Sequence, residues 1–232
     1  MATLIFDLDG TLLDCRARHY TVYSDSLEEL GQEPISEASY WRRRMNGDGT
    51  FDVISRLAPE ITRSFRITWM GRIERRDYLA YDDTFVGTLE ALAELRKEHR
   101  LVLLTFRRDP YALDWQLAKT GLIDLFDEAI SPTVTAPQRK SELLADWLPM
   151  GDTYVIGDTE ADIDLASDLG ARYIGVTTGV RSQSYLHSRG GVLTLDSVAE
   201  LPAFLRLPEP PLSDNRFAAP IPTTAPVARG RF

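Results

Sequence analysis

Short continuous apolar runs alternate along the chain with longer stretches in which apolar residues recur every three or four positions. That is the pattern of buried strands separated by amphipathic helices. The first run, Leu4-Ile5-Phe6, predicts a buried opening strand. From about Cys15 to Tyr81 the spacing is mostly helical, with breaks at Gly31, Pro34, Gly47-Asp48-Gly49 and Pro59, which predicts an all-helical insert. Strands and helices then alternate: helix 85–98, strand 101–105, helix 110–120, strand 128–130, helix 139–147, strand 154–157, helix 160–169 and strand 173–176. A weaker strand at 192–195 and a helix at 198–205 close the series. Such alternation predicts an α/β architecture, a doubly wound parallel sheet with helices on both faces. Beyond Leu207 the chain turns to proline, alanine and threonine, so 208–232 is expected to be a proline-rich tail that cannot bury enough surface to order itself. Pro220-Ile221-Pro222 offers at most a polyproline ligand for a partner.

The length of 232 residues and 44% hydrophobic content suffice for a full core. No apolar stretch is long enough for a membrane span, and the opening strand leaves no room for a signal peptide, so a cytoplasmic location is expected. A net charge of -9 argues against nucleic-acid and membrane partners. The charge is uneven: residues 15–81 carry 11 Arg, no Lys and 10 acids, a net of +1, so the insert is less hostile to anions than the remainder. The run Arg42-Arg43-Arg44 is expected to be a solvated helix face. Cys15 is alone and is expected to be a small buried residue, and His19, His99 and His187 lack metal-ligand spacing, so zinc is not expected.

Candidate chemistry collects at strand ends, where open α/β sheets bind their ligands. Asp7 and Asp9 leave the first strand on one face, and their mutual repulsion requires a cation, a proton or strong donors. Gly10 stands at the fourth position of this loop, whereas a calcium-binding EF-hand needs glycine at the sixth. Lys140-Ser141 has no preceding glycine, which excludes a phosphate-binding P-loop. A helix-capping Asp beside a turn Asp is the bland alternative. A second strand ends in Gly157-Asp158, with Asp158 expected to cap the next helix and Asp162 four residues on. Together these acids form a hard oxygen set of the kind Mg2+ accepts. Thr105 ends a third strand, and Lys140 is the one lysine outside a long helical pattern; a hydroxyl and a lysine suit a transferring group with negative charge.

Asp7-Leu8-Asp9-Gly10-Thr11, Thr105, Lys140 and Gly157-Asp158-x-x-x-Asp162 resemble the four ordered motifs of the haloacid dehalogenase superfamily. The match in order and spacing covers most of residues 3–205. A helical insert directly after the first strand is similar to the phosphoglycolate phosphatase-like branch. The resemblance implies a Rossmann-like core of 1–14 and 82–207, and a helical cap, 15–81, that closes over the site. It implies a magnesium-dependent phosphatase acting on a small phosphorylated metabolite through an aspartyl-phosphate. Asp7 would be the nucleophile, with its pKa lowered by Lys140 and the metal, and Asp9 the general acid and base. Asp7, the Asp9 carbonyl and Asp158 would hold Mg2+, with Asp162 behind them. Thr105 and Lys140 would contact the phosphoryl oxygens. Phe106 and Arg107 stand where Asn and Lys often follow the hydroxyl residue, so substrate contacts from Arg107 or Arg108 are an open expectation. Asp9 argues against dehalogenation, and the lysine-free insert against a phosphonate-cleaving relative. A sugar phosphomutase and a non-catalytic binding module are the alternatives. A monomer or homodimer is expected.

Overall fold

The computed structural model describes residues 1–132, 139–144, 147 and 151–207, and the expected 208–232 tail lies outside them. Strand β1 (Thr3–Phe6) is followed by a tight turn and a two-residue strand β2 (Leu13–Asp14). Five helices come next: α1 (Arg16–Glu29), α2 (Glu37–Met45), α3 (Thr50–Val53), α4 (Pro59–Arg72) and α5 (Arg76–Leu79). The expected breaks at Gly31, Pro34 and Gly47 to Gly49 fall between these helices, and Pro59 opens α4, where its missing N–H costs nothing. Strand β3 (Asp83–Thr84) pairs antiparallel with β2, so a short ribbon joins the points where the chain leaves for the helices and returns.

The remaining elements alternate: α6 (Thr88–Leu95), β4 (Arg100–Leu104), α7 (Pro110–Lys119), β5 (Glu128–Ile130), β6 (Thr153–Gly157), α8 (Glu160–Leu169), β7 (Arg172–Val176), α9 (Gln183–Ser188), β8 (Thr194–Leu195) and α10 (Leu201–Leu205). The main sheet is parallel throughout, in the order β5-β4-β1-β6-β7-β8. Ile5 of β1 is registered with Val102 on one side and Val155 on the other. Period-two alternation divides the sheet into two cores. Leu4, Phe6, Leu101, Leu103 and Ile156 face α6 and α7, whereas Ile5, Val102, Leu104 and Val155 face α8. Each fully buried aliphatic side chain here contributes about 1.5–3 kcal/mol. The helices of 16–79 share a separate aromatic-rich cluster centred on Tyr23, Tyr40 and Phe65.

Three local expectations are revised. Where an α-helix was expected over 139–147, Lys140–Leu144 winds as a 3-10 helix, and 145–146 lie outside the described residues. The last helix opens as a 3-10 turn, Val198–Glu200, before α10. α9 and the β2–β3 ribbon, too short to carry a periodic signal, are additional. Among the described residues no helix is long and apolar enough to cross a membrane.

The chain runs outward from β1 through β4 to β5, then crosses to β6 and runs outward the other way. The carboxyl ends of β1 and β6 therefore flank the switch in direction, the place where such sheets open a ligand crevice.

Candidate active site

Asp7 follows β1 directly, and its backbone N–H continues the ladder to Ile156 O at 2.9 Å. Asp158 follows β6, Thr105 follows β4, and Lys140 opens its 3-10 helix. Asp7, Thr105 and Lys140 line one cleft, and Asp158 lies beside Asp7. Lys140 Nζ lies 2.6 Å from Asp7 Oδ1 and 2.6 Å from Asp162 Oδ1, and its side chain is 3% exposed. One carboxylate oxygen from each of Asp7, Asp158 and Asp162 lies within 4.8 Å of the others. Three carboxylates against one ammonium leave an excess of negative charge.

Asp158 is the least compensated of the three. It is fully buried, and it accepts hydrogen bonds from Thr11 Oγ1 at 3.0 Å and Val180 N at 2.7 Å. Among the described residues no cationic side chain pairs with it. The backbone is shaped around this carboxylate: a Cβ on Gly10, whose φ is +87°, would stand 2.5 Å from Asp158 Oδ2, and one on Gly179 only 2.0 Å. Contrary to expectation, Asp158 does not cap α8. Thr159 is the N-cap residue, and Asp162 Oδ2 accepts from Thr159 N at 3.1 Å and Oγ1 at 2.8 Å. Both Asp162 oxygens are thus engaged, one by Lys140 and one by the cap. A hard, oxygen-only and electron-rich donor set fits Mg2+, with Asp7 and Asp158 offering the freer oxygens.

Burial dominates the protonation of the pair. It raises Asp7 from its ordinary 3.8 to about 7, with Lys140 opposing and Asp162 adding to the rise. The lowering expected from Lys140 is therefore outweighed in the metal-free protein, because a nearly dry carboxylate beside other carboxylates favours its proton. Burial likewise pushes Asp158 well up, with Asp7 and Asp162 adding to it. For Lys140 burial pulls down, but Asp162 and Asp7 outweigh it and keep the ammonium charged.

Asp9 has a different environment. Its carboxylate accepts from Arg107 Nε and Nη2, both at 2.7 Å, and from Arg18 Nη2 at 2.6 Å. Burial would raise its pKa, but Arg107 and Arg18 override it and hold Asp9 far below the usual carboxylate range. Arg18 also grips fully buried Asp82 through Nε at 2.8 Å, and Gln116 bridges Asp82 and Arg107 at 2.7 and 2.9 Å. Arg18 lies on α1 and Asp82 just before β3, so this network ties both linkers of the helical segment to the strand-end turn.

A cleft of about 380 Å³ opens over the site, lined by Asp7, Asp9, Thr105 and Lys140 from the sheet side. Phe106 is there too, with Lys140 Nζ 5.6 Å from its ring centroid. Arg107 lines the cleft with its charge committed to Asp9, and Arg108 turns to Glu74 at 3.3 Å. Cys15 is buried, as expected. The arginine run is not one solvated face: Arg42 is exposed and Arg43 pairs with Asp48, but Arg44 is buried and lines the cleft with His19 and Trp69. The sequence reading missed these three, and only the cationic balance of the insert hinted at them.

A family model for haloacid dehalogenase-like hydrolases matches residues 1–170. A phosphoglycolate phosphatase of Synechococcus elongatus is 27% identical over 192 residues, covering 80% of this chain and 88% of that protein. One from Cereibacter sphaeroides is 32% identical over 196 residues, covering 78% and 87%. A solved haloacid dehalogenase-like family hydrolase from Streptococcus pneumoniae shares the fold with a TM-score of 0.76 at 19% identity, covering 89% of this chain and 99% of that one.

Proposed function

The chain belongs to the haloacid dehalogenase-like hydrolases, and from that membership we propose that it is a phosphatase cleaving a small organic phosphate monoester in two displacements at Asp7. The observation that carries this reading is the Asp7–Lys140 contact of 2.6 Å at the carboxyl end of β1, beside two further buried carboxylates.

In the first displacement a carboxylate oxygen of Asp7 attacks phosphorus. A bond forms from Asp7 to phosphorus, the bond from phosphorus to the leaving alcohol breaks, and an aspartyl-phosphate results. Lys140, fixed by Asp162 on its other side, orients Asp7 and meets the phosphoryl oxygens, with the Thr105 hydroxyl at the same strand-end level. The departing alkoxide takes a proton from Asp9. Asp9 therefore has to leave its arginine clamp to become protonated. Once back in the clamp it is an ionised acceptor suited to drawing a proton from the water that attacks the aspartyl-phosphate. That water releases phosphate and regenerates Asp7.

Asp7, Asp158 and the Asp9 carbonyl would hold Mg2+, which when bound neutralises charge developing on the phosphoryl oxygens. We further propose that the helical segment 15–81 is the cap over the cleft, that the Arg18–Asp82 pair fixes its seating, and that the enzyme works in the cytoplasm. The names of its relatives make 2-phosphoglycolate the first substrate to examine. The test is release of phosphate from 2-phosphoglycolate and from a chromogenic aryl phosphate, with magnesium and with a chelator. Chelator-sensitive release supports the reading, and no release from either ester with magnesium overturns it.

A further inference from the structure

The arginine that holds Asp9 is itself held from behind. Gln116 of α7 is fully buried. Its Oε1 accepts from Arg107 Nη2 at 2.9 Å, and its Nε2 donates to Asp82 Oδ2 at 2.7 Å and to Leu79 O at 3.2 Å. The opposite orientation of the amide would set its NH2 against a guanidinium and its oxygen against a carboxylate, so the network admits only this one. A glutamine satisfied at both ends explains how the junction is filled. It also has a consequence for Arg107.

Arg107 Nη2 lies 2.7 Å from Asp9 Oδ1 and 3.5 Å from Asp82 Oδ2. Two carboxylates therefore compete for one arm of the guanidinium, and attraction to the fully buried Asp82 is the less screened of the two. Gln116 settles the competition. Its Nε2, with Arg18 Nε at 2.8 Å, occupies the rival Asp82 oxygen, and its Oε1 gives Arg107 a neutral acceptor beside it. Without the amide the fork is free to slide toward Asp82 and turn away from Asp9. Gln116 does not line the cleft, so any effect it has on the chemistry passes through Arg107.

The clamped Asp9 is the one that works in the second displacement. The oxygen of water bonds to phosphorus, the bond from phosphorus to Asp7 breaks, and the proton of the water passes to an Asp9 oxygen. Misplacing a reacting group by about 1 Å costs up to about 10²-fold in rate. We propose that Gln116 is a positioning residue for this step: through Arg107 it fixes the angle at which Asp9 meets the attacking water. The first displacement, for which Asp9 has left the clamp, does not depend on it. The proposal rests on the phosphatase reading and assigns a residue remote from the substrate to one of its two steps.

Gln116→Met fills much the same space, and it leaves Asp82 paired with Arg18 and Leu79 O with the N–H of Asp82. With 4-nitrophenyl phosphate and magnesium, decay of the phosphorylated chain, followed by rapid quench and intact mass, should slow about 10- to 100-fold in this variant. Nitrophenol should then appear in a burst. kcat and KM should fall together and kcat/KM stay within about threefold, because kcat/KM reports only the steps through departure of the alcohol. Arg107→Met should slow the same decay, and adding Gln116→Met to it should slow it no further. Lys119→Met removes contacts to Ala80 O and Asp82 O from the same helix without touching Arg107, and should leave the decay as it is.

Decay at the unmodified rate in a folded Gln116→Met, an equal fall in kcat and kcat/KM, a further loss on top of Arg107→Met, or the same slowing in Lys119→Met overturns the positioning role while the phosphatase reading stands. Absence of phosphate release from every ester by the unmodified chain overturns the phosphatase reading, and this proposal with it. If Gln116→Met does not fold, Gln116→Asn, whose shorter amide cannot span Arg107 and Asp82, takes its place in the same assays.

Discussion

Arg107 holds the Asp9 carboxylate through Nε and Nη2 at 2.7 Å each, across 98 residues of sequence. The pair sits in a four-charge cluster with Arg18 and Asp82 that is formally neutral. Asp9→Asn unbalances it by one positive charge. Removing one partner of a buried pair costs about 3–5 kcal/mol, and the 24% exposure of the Asp9 side chain reduces this. The expected loss is about 1–3 kcal/mol, or roughly 2–4 °C in Tm per kcal/mol, alongside loss of alkyl phosphate turnover. In Asp9→Asn/Arg107→Met the lost pair is counted once, so the two costs should fall short of additivity by about 1 kcal/mol or more. Urea melts of the four proteins measure this, and additive costs would show that the contact contributes nothing to stability.

Asp7→Asn keeps the shape of the nucleophile and removes its charge. Turnover of every phosphate ester should fall to background, because the asparagine amide cannot form the covalent intermediate. Metal-free stability should rise, since the replacement removes a buried carboxylate from a site with excess negative charge. Turnover and thermal melting measured together check both. A freshly prepared variant with near-normal rates would remove Asp7 from its role.

Loss of the carboxylate at Asp158 and at Asp162 should move metal-free stability in opposite directions. Asp158 is buried and, among the described residues, has no cationic partner, so Asp158→Asn at about pH 8 should raise the metal-free Tm while sharply raising the magnesium needed for half-maximal rate. Asp162 neutralises Lys140 and caps Thr159. Asp162→Ala should therefore lower Tm by losing a cap worth about 1 kcal/mol and the buried pair, with a smaller rise in the magnesium needed for half-maximal rate. Equal effects on magnesium dependence would make Asp162 a direct ligand.

The convergence of Asp7, Thr105 and Asp158 was legible in the sequence because it follows from topology, whereas Lys140, on a 3-10 helix, was legible only through the motif order. Apolar runs mark strands, alternation with helices makes them parallel, and the carboxyl ends of parallel strands meet on one edge. The partners of these residues were not legible in the same way. Asp9 and Arg107 meet only because the loop after β4 folds back over β1, which no local pattern encodes. Arg42, Arg43 and Arg44 are chemically identical neighbours, and which one turns inward is decided by how α2 lies against α1 and the core. The capping role passed from Asp158 to Thr159 because the Asp158 carboxylate is drawn between Gly10 and Gly179, toward Thr11 and Val180. The β2–β3 ribbon, two residues on each side, is too short for periodicity to register.

The protonation of Asp7 links stability, metal and pH. Its pKa is about 7 in the metal-free folded protein against an ordinary 3.8. Between those values the folded chain keeps a proton that the unfolded chain has lost, so this group favours folding on the acid side. Its contribution is full below about pH 4 and is lost as pH rises through about 7. Asp158, raised for the same reason, acts in the same direction. A dication needs these carboxylates ionised, so it displaces the proton and binds more tightly as pH rises across the same window. The increase in Tm on adding magnesium should therefore grow from about pH 5 to about pH 8, while the metal-free Tm, compared with that of Asp7→Asn, declines. Asp7→Asn should flatten part of both trends, because one of the two titrating carboxylates has been removed and Asp158 remains. Melting curves at several pH values, with magnesium and with chelator, provide the measurement. A magnesium-induced shift that is constant over this range, or greatest at the acid end, would mean that the ion does not compete with a proton at Asp7.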